Sequence, residues 1–307
     1  IYNKMLHNGE ERMGTILKKY EELTFSDDFM FCKILENNLE LCKELLELIL
    51  DIKIKKIQPV ESQKAVDMTY DGKGVRFDVY TQDEENTIYD VEMQNVTKKN
   101  LPKRTRYYQG MIDLNLIEKG ADYSELKKTY IIFICKEVRF EGNLPVYTFV
   151  NTCQQDTSIK LNDDAIKVII NASGSRVGLS PQMCAFLDYV KDNKANSEFT
   201  RQLKEAIDEA IKNRKWRVDY MTLEMKIREE RAQAKEEGRE EGRKEGREEG
   251  RKEGRKEGRE EGRKEGRKEG YEEIIKAMLI KGKTIEEISD ICDLDLGLVK
   301  EIAKRSK

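Results

Sequence analysis

Histidine, tryptophan and proline are nearly absent from this 307-residue chain, which has one His, one Trp and four Pro. The single histidine, His7, lies in a polar N-terminal stretch. Its place there nearly excludes Ser-His or Cys-His nucleophilic catalysis, and one His cannot make a His-rich metal site. The six cysteines, at 32, 42, 135, 153, 184 and 292, form no Cys-x-x-Cys pair. Their spacing writes in no zinc motif, and they are expected to be reduced, mostly buried thiols of a cytoplasmic protein. No apolar run approaches the roughly 18 residues of a membrane span, and residues 1–10 lack the apolar stretch of a secretory signal. A first residue of Ile is expected where the true N-terminus is missing or the gene start is misplaced. The chemistry left to such a chain rests on carboxylates.

Charge, in contrast, is abundant. Charged residues make up 38% of the chain, 57 Lys plus Arg against 60 Asp plus Glu, where about 25% is ordinary. The excess is local, because residues 236–270 consist only of Glu, Lys, Arg and Gly. From 237 to 270 they repeat every four residues as Glu-Gly-Arg-(Glu or Lys). A period of four advances 400° on an α-helix, so the Gly stripe drifts and forms no fixed apolar seam. Each Gly costs roughly 1 kcal/mol against Ala in a helix, while a Glu–Lys or Glu–Arg pair returns only about 0.2–0.5 kcal/mol. The expectation is a marginal helix continuing from the preceding one, or a charged spacer. The formal net charge of −3 also argues against a protein held to nucleic acid by charge alone.

Hydrophobic periodicity organises the rest. Thr24-Phe25-Ser26-Asp27-Asp28 supplies N-cap residues, and apolar positions recurring at three and four predict one or two helices over 27–50. Short strands are expected at 53–59 and 65–70. Residues 74–81 and 87–95 alternate with period two around a polar turn and read as a hairpin. A helix is expected over 101–119, opened by Leu101-Pro102 and closed by Gly120. Residues 129–135 form an apolar, β-branched run, as in a strand covered on both faces. Strands at 146–150 and 166–171 and helices at 181–193 and 197–235 follow. The order implies a mixed α/β domain over about 20–195.

The hairpin carries the candidate site. Asp78 sits among Phe77, Val79 and Tyr80, and Glu92 and Gln94 flank Met93. Carboxylates within otherwise apolar strands are costly unless they bind something. Glu92, Gln94 and Asp90 share one face by alternation. Asp78 falls opposite Glu92 only if the connecting loop has an odd length, such as Glu84-Glu85-Asn86. Two carboxylates and an amide then meet on one face, a hard oxygen set suited to Mg²⁺ or Mn²⁺.

Asp78 followed by Glu92-Met93-Gln94 resembles the core motif of the PD-(D/E)XK nuclease superfamily, and within it the branch of recombination-promoting nucleases and transposases. Ser26-Asp27-Asp28-Phe29-Met30-Phe31 is similar to that branch's N-terminal signature. Arg104-Thr105-Arg106-Tyr107-Tyr108, then Gly120-Ala121-Asp122-Tyr123-Ser124-Glu125-Leu126 before an apolar strand, resemble its central elements. The likeness spans about residues 20–170. It implies a restriction-endonuclease-like mixed sheet flanked by helices and a metal-dependent DNA endonuclease associated with recombination or mobile elements. By the same likeness Asp78 and Glu92 bind the metal, Gln94 stands where the family's Lys orients the attacking water, and Asp28 is a further metal ligand or else a helix cap. Lys98, Lys99, Lys103, Arg104 and Arg106 follow the motif directly and are either phosphate contacts or a wet helix face. Arg104 and Tyr108, four apart on one helix face, are the stronger DNA-binding candidates.

Residues 272–307 regain apolar periodicity and resemble a small helix-turn-helix, read either as a DNA reader or as a helical cap that pairs copies of the chain. The divisions expected are a tail (1–19), the nuclease-like domain (20–195), a helical extension (196–235), the repeat (236–270) and the helical C-terminal segment (271–307). The competing functional reading is a catalytically inactive DNA-binding or protein-interaction module that assembles through its helical C-terminal third.

Overall fold

The computed structural model describes residues 18–66, 74–95 and 100–305. The predicted first helical stretch is two helices, α1 (Asp28–Asn37) and α2 (Leu39–Leu50). They are broken at Asn38, whose backbone leaves the helical region and whose side-chain amide donates back to the Ile34 carbonyl. Strands β1 (Glu61–Val66), β2 (Val75–Gln82) and β3 (Ile88–Gln94) precede helix α3 (Leu101–Leu116). Then come β4 (Thr129–Cys135), β5 (Val146–Phe149), β6 (Ala165–Asn171), α4 (Pro181–Asp192) and α5 (Glu198–Lys212). The strand expected at 53–59 shrinks to a single bridge, Ile57 to Asp83, beside Pro59, which has no N–H to extend a ladder. Of the run expected at 65–70, Ala65 and Val66 pair with β2 at the end of β1, and the remaining positions lie outside the described residues, as do His7, Lys98 and Lys99.

The six strands form one sheet in the order β1-β2-β3-β4-β6-β5. β1, β2 and β3 are antiparallel neighbours, β3, β4 and β6 are parallel, and β5 returns antiparallel on β6. Alternation divides the buried strand residues between two layers. Tyr89, Val91, Met93, Ile132, Ile134, Val168 and Ile170 pack with α1, α2, α4 and α5. Ile88, Ile131, Phe133, Cys135 and Ile169 pack with Leu101, Tyr108, Met111 and Ile112 of α3. A sheet covered by helices on both sides explains why β3 and β4 are buried along almost their whole length, and why the carboxylates of β3 are desolvated.

The helix expected over 197–235 breaks at Asn213, where the side-chain oxygen accepts from the backbone N–H groups of Lys215 and Trp216 and starts a new helix. That helix, α6, runs from Arg214 to Ile280 and includes the whole Gly-Glu-Arg/Lys repeat, whose residues 236–269 are all exposed. By internal contacts the chain divides into two units, Ile1–Arg231 and Ala232–Lys307. The second unit has its own small core of Ile275, Ile288, Val299 and Ile302, formed by the end of α6 with α7 (Ile285–Cys292) and α8 (Leu296–Arg305). No helix among the described residues is long and apolar enough to cross a membrane.

Candidate active site

The site grows out of the β2–β3 hairpin. Its loop is Glu84-Glu85-Asn86, closed by the Asp83 N–H on the Thr87 carbonyl (3.1 Å), with Asn86 in the left-handed region at φ 65°. Asn tolerates that conformation at small cost. The Asp83 carboxylate pins the loop by accepting from the N–H groups of Glu85 and Thr87 and from the Tyr89 hydroxyl. The odd loop length sets the register Val79 to Val91 and Tyr80 to Asp90, which brings Asp78 opposite Glu92.

At that position the side chains replace the ladder. Glu92 Oε1 accepts from the Asp78 N–H at 2.8 Å, and Asp78 Oδ2 accepts from the Met93 N–H at 3.3 Å. On the other side of Asp78, Gln63 of β1 takes φ 55°, a strained conformation for a residue with a side chain. Asp78 therefore sits at a break in its pairing with β3 and beside a distorted backbone in β1. The expectation that Asp78, Glu92 and Gln94 meet at one point is modified by this distortion. The Asp78 carboxyl meets α1, where it is hydrogen-bonded to that of Asp28. Among the described residues, Asp28, Cys32 and Asp78 each bring one ligand atom within 4.8 Å of the others, and Glu92 is not part of that group. Glu92 instead meets α3. Its Oε2 is 3.5 Å from Arg104 Nη2 and accepts from the Tyr108 hydroxyl at 3.4 Å.

Asp28 is the first residue of α1, and it is Asp27, immediately before the helix, that holds the preceding turn. Asp27 Oδ2 accepts from the backbone and hydroxyl of Thr24 and pairs with Lys18. Asp28 is thus directed to the carboxyl group of Asp78 rather than used as a cap, and Arg76 lies 3.9 Å from it. Four residues along the same helix, the thiol of Cys32 is 3.8 Å from Asp28 Oδ1 and accepts from Gln63 Nε2 at 3.0 Å.

Gln94 Oε1 accepts from Arg104 Nη1 at 2.7 Å. Because guanidinium has only donors, this contact requires the Gln oxygen to face Arg104, and the Gln94 amide nitrogen is then the group that can donate elsewhere. Arg104 also donates to the Tyr108 hydroxyl at 2.8 Å and lies over the Phe133 ring. Tyr108 was expected at the DNA surface. It is buried, with its ring edge-on to Phe77 and its hydroxyl under Glu92, so it supports the site from inside. Lys103 and Arg106 are exposed on α3.

The electrostatics follow from burial. Desolvation raises the carboxyl of Asp78 well above the ordinary range, and the neighbouring charges of Glu92 and Asp28 add to the shift. Desolvation likewise raises Glu92, reinforced by Asp90 and opposed by Arg104. Asp90 is fully buried, neither of its oxygens has a hydrogen-bond partner among the described residues, and burial followed by the Asp78 charge raises it as well. The hydrogen bond from Asp28 and its charge both disfavour ionisation of the Asp78 carboxyl group, a cost that a cation between the two would remove. This crowding of acids, held mainly against Arg104, fits a divalent ion with oxygen ligands. Asp28 and Asp78 would hold it, with Glu92 alongside.

Sequence reasoning placed Asp90 on the Glu92 face without a role and treated Cys32 as a core thiol. The i to i+4 spacing of Asp28 and Cys32 was the signal available for the latter.

A mixed sheet between helices, with an Asp at a strand defect and Glu-x-Gln on the next strand, defines a nuclease-type α/β domain. Residues 26–173 match the family described as PD-(D/E)XK nuclease family transposase. No curated protein and no solved structure gives a significant match to the chain.

Proposed function

We propose that the protein is a divalent-metal-dependent DNA endonuclease that hydrolyses phosphodiester bonds, with Mg²⁺ or Mn²⁺ as cofactor and a role with mobile elements or recombination. The observation that carries this reading is the pairing of Asp78 and Glu92 across a broken ladder, each buried and each raised by desolvation. Such a cluster costs stability in a protein that has no cation to bind.

When bound, the cation lowers the pKa of coordinated water and neutralises charge on a phosphodiester. The chain's own residues do the rest. Asp78 and Asp28 offer the oxygen ligands, and Glu92 is fixed in one orientation by Arg104, Tyr108 and the Asp78 N–H. Gln94, with its oxygen held by Arg104, can donate from its amide nitrogen to a water or phosphate oxygen but cannot accept a proton near neutrality. Lys103 and Arg106, exposed on α3, are the phosphate contacts, and Arg104 links them to the buried site. In this reading the second unit, with Ile280 and Ile291 exposed outside its own core, pairs copies of the chain.

The test is nicking of supercoiled plasmid by purified protein with Mg²⁺ or Mn²⁺. Wild type is expected to nick, and Asp78→Ala and Glu92→Ala to lose activity by orders of magnitude. Equal activity in these variants refutes the assignment. Absence of nicking by wild type, with DNA still bound, turns the reading to a catalytically inactive DNA-binding module.

A further inference from the structure

We propose that Cys32 is a metal ligand and gives this site a second mode of coordination, in which borderline and soft divalent ions such as Co²⁺, Zn²⁺ and Cd²⁺ bind through Asp28, Cys32 and Asp78, while Mg²⁺ binds through oxygen alone. This inference rests on the metal-site reading above and concerns which ions the site accepts.

Three observations support it. Asp28 and Cys32, four apart on α1, present their ligand atoms from one helix face, and Asp78 meets them from the sheet, all within 4.8 Å. Gln63 Nε2 donates to the sulfur at 3.0 Å, which fixes the position of the sulfur beside the two carboxyl groups. Glu92 lies outside the group and is tied to Arg104 and Tyr108, so an ion drawn toward the sulfur is drawn away from Glu92.

The chemistry separates the ions. A hard ion such as Mg²⁺ does not displace a thiol proton and keeps to carboxylates and water. A borderline ion does displace it. The S–H bond breaks, a sulfur–metal bond forms, the proton leaves to solvent, and nothing is oxidised or reduced. The two modes compete for Asp78. Zn²⁺ or Cd²⁺ should therefore inhibit nicking supported by Mg²⁺, because they hold Asp78 in an arrangement without Glu92.

The experiment is a titration of the full chain, stripped of metal, with Co²⁺, followed by the near-ultraviolet charge-transfer absorption of a thiolate–cobalt bond. In parallel, Mn²⁺ binding is followed by electron paramagnetic resonance. Wild type is expected to show the cobalt–sulfur band at one ion per chain. Cys32→Ser should lack it and bind Co²⁺ at least about tenfold more weakly, while still binding Mn²⁺. Cys32 is buried in the core, so Asp28→Asn, at a half-buried position, serves as a second variant. It too should weaken Co²⁺ by about tenfold or more. A wild type that binds Mn²⁺ in an Asp78-dependent way but shows no cobalt–sulfur band overturns the sulfur mode alone. A band that persists in Cys32→Ser overturns it as well, because another cysteine is then the ligand. No Asp78-dependent binding of any divalent ion overturns this inference and the metal-site reading together.

Discussion

Replacing Asp90 by Asn should stabilise the metal-free protein, and more so as the pH rises. Asp90 lies at the centre of β3 with no exposed surface and no hydrogen-bond partner among the described residues for either oxygen. Asn keeps the shape and the desolvated polar atoms but cannot ionise, so the comparison isolates the charge. The sign follows from linkage. The folded-state pKa of Asp90 is raised by burial and by Asp78, so the folded protein holds this proton to higher pH than the unfolded chain does. Stability from this group is fully present below the ordinary Asp value of about 3.9, and it falls as the pH rises from there through the folded-state value. Asn bears the same unsatisfied burial without the charge, and the extra cost of the charge is on the order of 1–3 kcal/mol, so Asp90→Asn should gain about that at pH 8 relative to its effect near pH 4. At about 2–4 °C per kcal/mol for a domain of this size, Tm should rise by about 2–12 °C at pH 8 and by much less near pH 4. The assay is thermal unfolding of protein treated with chelator, wild type against variant, across that range. Asp78 and Glu92 are shifted in the same direction and steepen the wild-type curve, so the decisive quantity is the difference between the two proteins. An Asp90→Asn that is less stable at pH 8, or a gap that does not change with pH, refutes the reasoning.

Other expectations follow from the same structure. Saturating Mn²⁺, at about 100 times its Kd, should stabilise wild type by about 2.7 kcal/mol in thermal unfolding at pH 8, and should stabilise Asp78→Ala much less. Tyr108→Phe removes the hydroxyl that receives Arg104 at 2.8 Å and donates to Glu92 at 3.4 Å, which should cost about 0.5–1.5 kcal/mol in denaturant unfolding and reduce nicking. Gly174→Ala would place a Cβ 2.6 Å from the Leu144 carbonyl oxygen and 2.7 Å from Pro145 Cα, so Tm should fall by an amount equivalent to about 1–3 kcal/mol. In the repeat, an alanine at Gly250, Gly254 or Gly258 meets nothing within 4 Å, and each change should favour the helix by about 1 kcal/mol, seen as slower loss of far-ultraviolet circular dichroism on heating.

Much of this fold can be read from the sequence where local chemistry and tertiary packing agree. The apolar run at 129–135 is the strand Thr129–Cys135, and the alternating pair at 74–81 and 87–95 is the hairpin of β2 and β3, with boundaries shifted by one residue. The odd loop, which the sequence left as a condition, is fixed by the Asp83 carboxylate on the Thr87 N–H and by Asn86 at φ 65°. Periodicity failed where one polar side chain redirects the backbone. Asn213 divides a helix that apolar spacing alone joins, and Asn38 decides between the one helix and the two that spacing allows over 27–50. The long repeat, where Gly penalties exceed pair energies in an isolated peptide, is helical along its whole length as part of α6.

The site separates local from non-local information more sharply. Alternation put Glu92, Gln94 and Asp90 on one face because it depends only on the pleat of one strand; that Arg104 of α3 meets Glu92 and Gln94 there is tertiary information. The same rule placed Asp78 opposite Glu92 but did not give the direction of its carboxyl group, because alternation assumes an unbroken ladder, and here the Glu92 carboxylate and the Asp78 carboxylate have taken over the ladder's N–H groups beside a Gln63 forced to φ 55°. Once that ladder opens, Asp78 meets α1, and the partners it finds there, Asp28 and Cys32, lie 50 and 46 positions earlier in the chain. No period of two or of 3.6 links residues so far apart. The same distortion that hid the grouping from the sequence divides the carboxylates between two helices, with Asp78 on α1 and Glu92 on α3. Whatever ion the site accepts is therefore selected by how far each helix draws it, and the sulfur of Cys32 weights that choice toward α1.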